Sequence, residues 1–261
     1  MTTKTPTMKE KLITLFKKSY EFFDDDTFYF AASLSFFTIF SILPILALII
    51  AIMSTYDIFA SQIQMLLFYV LDFINPTKSE QIVSSIEKFL VNIDKLGTLG
   101  LFYLLFVFTM FFKDYENIVA KIHETEKRSF VAMSLLYISF IFLIPLALVT
   151  YTFSAAFFEG TYTKMILDFI LGISFMTYLF KISVNKHVSM KAAFLAGLLT
   201  LIILKTTKTI FFYYILYSST YSTIYGTLSA MVFMFLWIYI SWTIFLYGMK
   251  ICHKLNIEFH K

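Results

Sequence analysis

Long apolar segments alternate with short charged segments along most of this chain. Six of these segments come close to, or exceed, the length of about 20 residues that an α-helix needs to cross the hydrocarbon core of a bilayer. The predicted fold class is therefore all-α, a polytopic membrane protein with six transmembrane helices. These predicted spans lie at 28–53, about 96–112, 130–153, about 163–181, about 190–217 and 225–251.

Two stretches outside the predicted spans have the spacing of amphipathic helices. Residues 8–23 place apolar side chains on one side and lysines elsewhere, which is typical of a helix lying on a membrane surface. Residues 54–95 are too many for a structureless loop, and their pattern predicts a helical hairpin on the outer side. The predicted organisation is a cytoplasmic amphipathic N-terminal helix at 1–27, a six-helix transmembrane domain at 28–251 containing this hairpin, and a cytoplasmic tail at 252–261.

The composition supports the membrane assignment. Hydrophobic residues make up 59% of the chain and charged residues only 15%, against roughly 25% charge in soluble domains. Mean hydropathy is +0.78. A chain with so little charge cannot cover a water-facing surface, so the composition argues against a soluble enzyme.

The basic residues predict the orientation of the spans. Most of the 21 Lys and Arg residues lie in the N-terminal segment, the 113–129 loop, the 181–191 loop and the tail. The opposite flanks hold only Lys78, Lys88, Lys95 and Lys164. Because cytoplasmic flanks are enriched in Lys and Arg, we expect both termini to be cytoplasmic.

Two lysines lie inside the fifth predicted span. At 1.5 Å per residue from Ala192, Lys205 is about 20 Å and Lys208 about 24 Å into the membrane. Lys205, Lys208 and Thr209 fall within an arc of about 100° and share one helix face. A charge inside a span marks a candidate functional site, so these three residues are candidates for binding an anion or a lipid headgroup, most naturally a phosphate.

Two structural explanations for these lysines are also open. Their side chains could extend to the outer interface, as long charged side chains do near helix ends. Alternatively, Lys208 could pair with Asp168, which is at a comparable depth in the fourth predicted span. If the site binds lipid, Asp168 would adjust or gate it.

The first predicted span carries a face of small and polar residues. Ser33, Ser41, Pro44, Ala47 and Ala51 fall within an arc of about 120°. Small residues on one face usually indicate close helix packing. The same face could instead line a polar groove.

Sequence motifs for metal binding and catalysis are missing. The four histidines are scattered, and no HExxH, CxxC, P-loop or GxSxG pattern occurs. We expect no metal, no cofactor and no enzymatic activity. A metal-dependent ribonuclease would need clustered His and carboxylate ligands and a basic groove, so nucleic acid is not an expected partner.

Several segments resemble the YihY/BrkB family of bacterial inner-membrane proteins, once labelled ribonuclease BN. These segments are AASLSFFTIFSILPILALI at 31–49, LGTLGLFYLLFVFTMFFKDYENIVAKI at 96–122, RSFVAMSLLYISFIFLIPLAL at 128–148, Lys208-x-x-Phe211-x-x-Tyr214, and YSTIYGTLSAMVFMFLWIYISWTIFLYG at 221–248. The resemblance implies six transmembrane helices, a location in the bacterial inner (cytoplasmic) membrane, and a link to envelope lipids.

Two functions follow as hypotheses. In the first, the chain binds or translocates an anionic, phosphate-bearing lipid or envelope precursor through the lysine face, so that its partners are membrane lipids. In the second, it is a structural or partner-binding membrane protein, with envelope proteins or further copies of itself as partners. An exposed small-residue face on the first span would favour the second hypothesis.

Overall fold

The computed structural model describes residues 26–54, 59–74, 80–92, 97–139, 146, 161–217 and 228–259. Within these residues all regular structure is α-helical, as predicted. The eight helices are α1 (Thr27–Met53), α2 (Ala60–Ile74), α3 (Glu80–Val91), α4 (Gly97–His123), α5 (Phe130–Ser139), α6 (Thr161–Ile182), α7 (Met190–Tyr217) and α8 (Leu228–Phe259).

Four of these helices are long and apolar enough to cross a membrane. The qualifying segments are Thr27–Ala47, Met165–Ile182, Met190–Ile215 and Leu228–Phe259. They correspond to the first, fourth, fifth and sixth predicted spans. The second predicted span lies in α4, and the third is described only at 130–139 and Leu146, so the full set of six spans stays a prediction.

The predicted hairpin region contains the two helices α2 and α3. Residues 75–79, including the turn predicted between them, lie outside the described residues, as does the predicted N-terminal helix up to residue 25. Helix α8 continues through Phe259, so most of the segment predicted as a tail is helical, and its cytoplasmic location stays a prediction.

Helix α8 holds the described helices together. It packs against α7, α1 and α4, while α7 also packs against α6 and α1 against α4. Residues without bulky side chains allow the closest of these approaches. A Cβ atom added to Gly197 of α7 would lie 3.2 Å from the backbone nitrogen of Thr177 on α6, so glycine sets the spacing of that pair.

Loops 124–129 and 183–189 lie together at one end of the helices, which we call the basic end. Helix α4 stops there because Glu124 has a positive φ of 50°, and the Thr125 and Glu124 amides donate to Ala120 O and Lys121 O, the arrangement of a Schellman motif. Asn256 of α8 then accepts a hydrogen bond from the Ser189 amide (2.8 Å) and donates one to His187 O (3.2 Å).

Helices α2 and α3 lie toward the opposite end, which we call the hairpin end. Ile74 of α2 forms a buried cluster with Ile82 and Ile86 of α3. This cluster packs against Leu43 of α1 and Met234 of α8. The hairpin helices are therefore attached to the main helices by apolar contacts, and not only by their covalent connections.

Candidate functional site

An aromatic cavity of about 330 Å³ lies between the helices. Its volume falls at the lower end of the range of about 300–1,000 Å³ that ligand pockets occupy. Every described helix except α3 contributes to its wall. The lining residues are Thr38, Phe73, Phe111, Phe112, Tyr115, Tyr137, Phe175, Met176, Leu179, Ser183, Leu204, Ile238, Ser241, Trp242 and Phe245.

The polar groups in the cavity wall already have hydrogen-bond partners within the protein. Trp242 Nε1 donates to Thr38 Oγ1 at 2.8 Å, and Ser241 Oγ donates to Trp237 O at 2.8 Å. The hydroxyls of Tyr115 and Ser183 are 2.7 Å apart. Since these groups are satisfied, the wall is best suited to an apolar guest such as a hydrocarbon chain.

Ring packing fixes the shape of this cavity. Phe112 of α4 stacks on Tyr137 of α5 with centroids 4.2 Å apart. Trp242 and Phe245 of α8 meet edge to face at 5.5 Å. Because each aromatic side chain has only two flexible dihedrals, these contacts leave the wall in a defined form.

A buried ion pair lies at the basic end, bonded to the cavity-lining residues Tyr137 and Ser183. The Arg128 guanidinium donates to both carboxylate oxygens of Glu116, at 3.1 and 2.9 Å. Tyr137 OH donates to the same carboxylate at 2.8 Å. The side chains of Arg128 and Glu116 are only 13% and 4% exposed, so the pair is largely shielded from water.

Arg128 also caps helix α6. Its guanidinium donates to Ser183 O at 2.9 Å and to Ile182 O at 2.6 Å. These carbonyls belong to the C-terminal end of α6, where a cation complements the helix dipole. The single arginine of the chain therefore ties α4, the 124–129 loop and the end of α6 together. Neither Arg128 nor Glu116 is among the site residues predicted from sequence.

A second ion pair lies toward the hairpin end. Lys208 Nζ on α7 donates to Asp72 Oδ2 on α2 at 2.6 Å, and the two side chains are 35% and 47% exposed. Asp168 is the partner predicted from sequence, but the carboxylate bonded to Lys208 is that of Asp72. Phe73, the next residue on α2, lines the cavity.

The remaining members of the predicted lysine face lie beside the cavity and do not line it. Lys205 is exposed, with Nζ 5.2 Å from the centroid of the Phe169 ring, a cation–π contact. Thr209 Oγ1 donates to Lys205 O within the helix. Asp168 is exposed on α6. Leu204 lines the cavity, so Lys205 is one residue and Lys208 about one helical turn from that part of the wall.

The small-residue face of α1 is covered by the protein itself. Ser41, Pro44 and Ala47 are buried, and Ser33 Oγ donates to Asp114 Oδ2 of α4 at 2.8 Å. The hypothesis of a partner-binding protein required an exposed face here. These contacts give that hypothesis no support from α1.

His123 lies at the basic end, beyond the predicted second span. It is 2% exposed, and its Nε2 has no hydrogen-bond partner in the part of the chain that the structure describes. Its ring is 5.1 Å from the ring of His253. Burial, followed by the neighbouring His253 and Lys186, lowers the pKa of His123 to about 3.

The lowered pKa of His123 predicts a loss of stability in acid. Below pH 6.5 the unfolded imidazole takes up a proton, whereas the folded one stays neutral until about pH 3. The free energy of unfolding should therefore fall as the pH falls through this window, by up to about 2 kcal/mol at pH 5. Unfolding of the detergent-solubilised protein by SDS at pH 7.5 and pH 5 measures the difference.

The His123→Phe variant should lose most of this pH dependence, because it has no group to protonate at that position. His187→Gln, at an exposed histidine, is the matched control and should keep it. Equal pH dependence in the parent and His123→Phe would contradict the assignment.

The sequence profile of the family described as "Virulence factor BrkB" matches residues 19–259. The chain belongs to this BrkB family. This agrees with the resemblance to YihY/BrkB proteins seen in the sequence. The match spans all eight described helices, and therefore both ion pairs and the cavity.

Curated relatives of this BrkB protein are bacterial and are named only as UPF0761 membrane proteins. One from Legionella pneumophila strain Philadelphia 1 is 27% identical over 248 residues, covering 91% of this chain and 60% of the relative. One from Pseudoalteromonas atlantica is 25% identical, covering 88% and 82%. One from Actinobacillus pleuropneumoniae is 27% identical, covering 87% of each chain.

This BrkB chain spans about three fifths of the length of the Legionella relatives it matches. No solved structure matches the chain. The relatives' names establish a membrane protein and say nothing further about activity.

Proposed function

We propose that this BrkB protein binds an anionic, phosphate-bearing membrane lipid or envelope precursor and takes part in its movement across the membrane. The observation that carries the proposal is the aromatic cavity, which is apolar and whose lining residue Leu204 lies within about one helical turn of Lys205 and Lys208. A hydrocarbon chain would occupy the cavity, and the headgroup phosphate would contact the lysines. The proposal involves no chemical step.

The cavity explains the apolar half of such a ligand. Its volume of about 330 Å³ equals that of roughly eleven water molecules at about 30 Å³ each, which is enough for a long segment of one acyl chain. Water would find few free hydrogen-bonding groups on this wall, because the hydroxyls and the Trp242 indole already bond to the protein. An apolar segment is therefore the favoured occupant.

The lysines explain the preference for a negative headgroup. Leu204 lines the cavity and Lys208 is one helical turn further along α7, about 6 Å away along the helix axis. Lys205 lies between them in sequence and is exposed. Ammonium groups at this spacing would bind a phosphate by charge-assisted hydrogen bonds.

Binding can be measured with Trp242, which lines the cavity. In a Trp237→Phe variant, Trp242 is the sole tryptophan of the chain. We expect vesicles of phosphatidylglycerol with brominated acyl chains to quench its fluorescence more strongly than matched phosphatidylcholine vesicles. Adding Ser241→Phe, which puts a ring into the cavity, should weaken quenching by phosphatidylglycerol about tenfold.

The lysine contribution needs a separate comparison. Lys205→Gln should reduce the preference for the anionic lipid about fivefold, whereas Lys181→Gln, at an exposed lysine of the basic end, should leave it unchanged.

Lys208→Ala should slow translocation of the anionic lipid in proteoliposomes about tenfold. The proposal would be rejected if Ser241→Phe left the quenching of Trp242 unchanged. It would also be rejected if Lys208→Ala left the rate of lipid translocation unchanged.

A further inference from the structure

Asp72 occupies the position at Lys208 that the proposed headgroup would need. Its Oδ2 is 2.6 Å from Lys208 Nζ, across 136 residues of sequence. A carboxylate and a phosphate carry the same sign of charge and use the same type of hydrogen bond to an ammonium. The two anions would therefore compete for Lys208.

The residue after Asp72 lies in the wall of the cavity. Phe73 lines the cavity while 44% of its surface stays exposed, so it stands at the cavity's edge. Its ring also meets Trp237 edge to face at 6.1 Å. A shift of α2 away from Lys208 would move Phe73 as well, because Asp72 and Phe73 are adjacent on that helix.

Trp237 lies behind Phe73 with an unused donor. The side chain is 1% exposed, and its ring stacks on Phe211 at 5.6 Å. Its Nε1 has no hydrogen-bond partner among the residues that the structure describes. A buried indole N–H without an acceptor is costly, and a lipid ester oxygen arriving at this place would satisfy it.

We propose that Asp72 is a specificity-determining residue: by holding Lys208, its carboxylate keeps Phe73 at the edge of the cavity, and an anionic headgroup releases Phe73 by taking the place of Asp72. This inference rests on the proposed function. When the headgroup binds Lys208, it releases α2 and Phe73 leaves the cavity's edge. The acyl chain of the lipid then enters the cavity beside Trp237. A zwitterionic lipid does not displace Asp72, because its own cation neutralises its phosphate.

The two members of this ion pair are therefore expected to act in opposite directions on anionic lipid. Asp72→Asn removes the competitor and keeps Lys208, so binding should tighten. Lys208→Gln removes the headgroup contact, so binding should weaken. A pair with a merely structural role would give changes of the same sign for both variants.

The fluorescence of Trp237 measures whether lipid reaches the cavity's edge beside Phe73. In a Trp242→Phe background Trp237 is the sole tryptophan, and quenching by brominated phosphatidylglycerol or phosphatidylcholine vesicles measures lipid contact beside Phe73. The parent should be quenched by the anionic lipid only. Half-exposed ion pairs shift an equilibrium by up to about fivefold. Asp72→Asn should therefore lower the concentration of anionic lipid that gives half-maximal quenching by about three- to fivefold. In the same variant, the zwitterionic lipid should also quench Trp237.

Two further variants keep the test decisive. Glu87→Gln, at an exposed carboxylate on the neighbouring α3, should behave like the parent. The exchange Asp72→Lys with Lys208→Asp rebuilds the pair in reverse, so it should again exclude the zwitterionic lipid. An exchange variant that admits this lipid as readily as Asp72→Asn would overturn the inference.

The source of the anion is distinguished by adding inorganic phosphate to zwitterionic vesicles. Unchanged Trp237 quenching supports the lipid headgroup, and increased quenching would overturn that assignment. If Trp242 reports lipid binding but Asp72→Asn behaves like the parent at Trp237, the inference fails and the proposed function stands. If neither tryptophan responds to lipid, the proposed function fails.

Discussion

Arg128→Ala is expected to lower the free energy of unfolding by about 3–5 kcal/mol, because it leaves the Glu116 carboxylate buried without its cation. The variant also removes the hydrogen bonds from Arg128 to Ile182 O and Ser183 O. Unfolding of the detergent-solubilised protein by SDS, followed by circular dichroism, measures the loss. The effect should be among the largest of any single substitution, since one side chain connects α4, the 124–129 loop and α6.

Three companion variants separate charge from packing. Replacing both partners, as in Arg128→Met with Glu116→Leu, should recover much of the loss, because no unpaired charge remains buried. Tyr137→Phe, which removes one hydrogen bond to Glu116, should cost about 1–2 kcal/mol. Lys127→Ala, at the exposed neighbouring residue, should have little effect. If Lys127→Ala were as damaging as Arg128→Ala, the ion pair would not be the cause.

Gly248→Ala is expected to cost about 2–3 kcal/mol, although alanine usually favours a helix. An added Cβ would overlap Thr200 Oγ1 of α7 and lie 2.9 Å from the ring of Phe180. Thr200 cannot easily turn away, because it is branched at Cβ and its hydroxyl donates to Ala196 O at 2.7 Å. The same SDS unfolding measurement tests the loss.

Relief of the overlap should restore part of that stability. Gly248→Ala combined with Thr200→Ala should recover about half of the loss, since the oxygen is removed while Phe180 stays. Gly172→Ala is the control, because its Cβ would meet only the flexible end of Leu201, at 3.1 Å, and should cost less than about 1 kcal/mol. Equal losses at the two glycines would argue against a close crossing at Gly248.

The positions of the apolar helices could be predicted from sequence, but their lengths only where the helix ends with its apolar segment. The fifth predicted span, about 190–217, coincides with α7, and the first, 28–53, differs from α1 by one residue. The second ends at 112, whereas α4 continues to His123. Hydropathy marks only the apolar part of a helix. Where a helix continues into a polar segment, the hydropathy pattern does not show its end.

The candidate site was only partly predictable, for a different reason. The shared face of Lys205 and Lys208 follows from helical periodicity alone. Their surroundings do not, because Asp72 is 136 residues from Lys208 and no local pattern links α2 to α7. Glu116 and Arg128 were missed because both lie among other charged residues outside the predicted spans. The signal was available, since Arg128 is the only arginine in a chain otherwise rich in lysine.

The continuous course of α8 has a practical consequence for structure determination. Its 32 residues extend about 48 Å, well beyond a hydrocarbon core of about 30 Å. Asn256 fastens its distal part to Ser189 and His187, so this extension keeps a fixed direction. A carrier domain joined to Phe259 through an unbroken helix would therefore stand rigidly away from the micelle, giving a 30.5 kDa particle enough mass for alignment in electron cryomicroscopy.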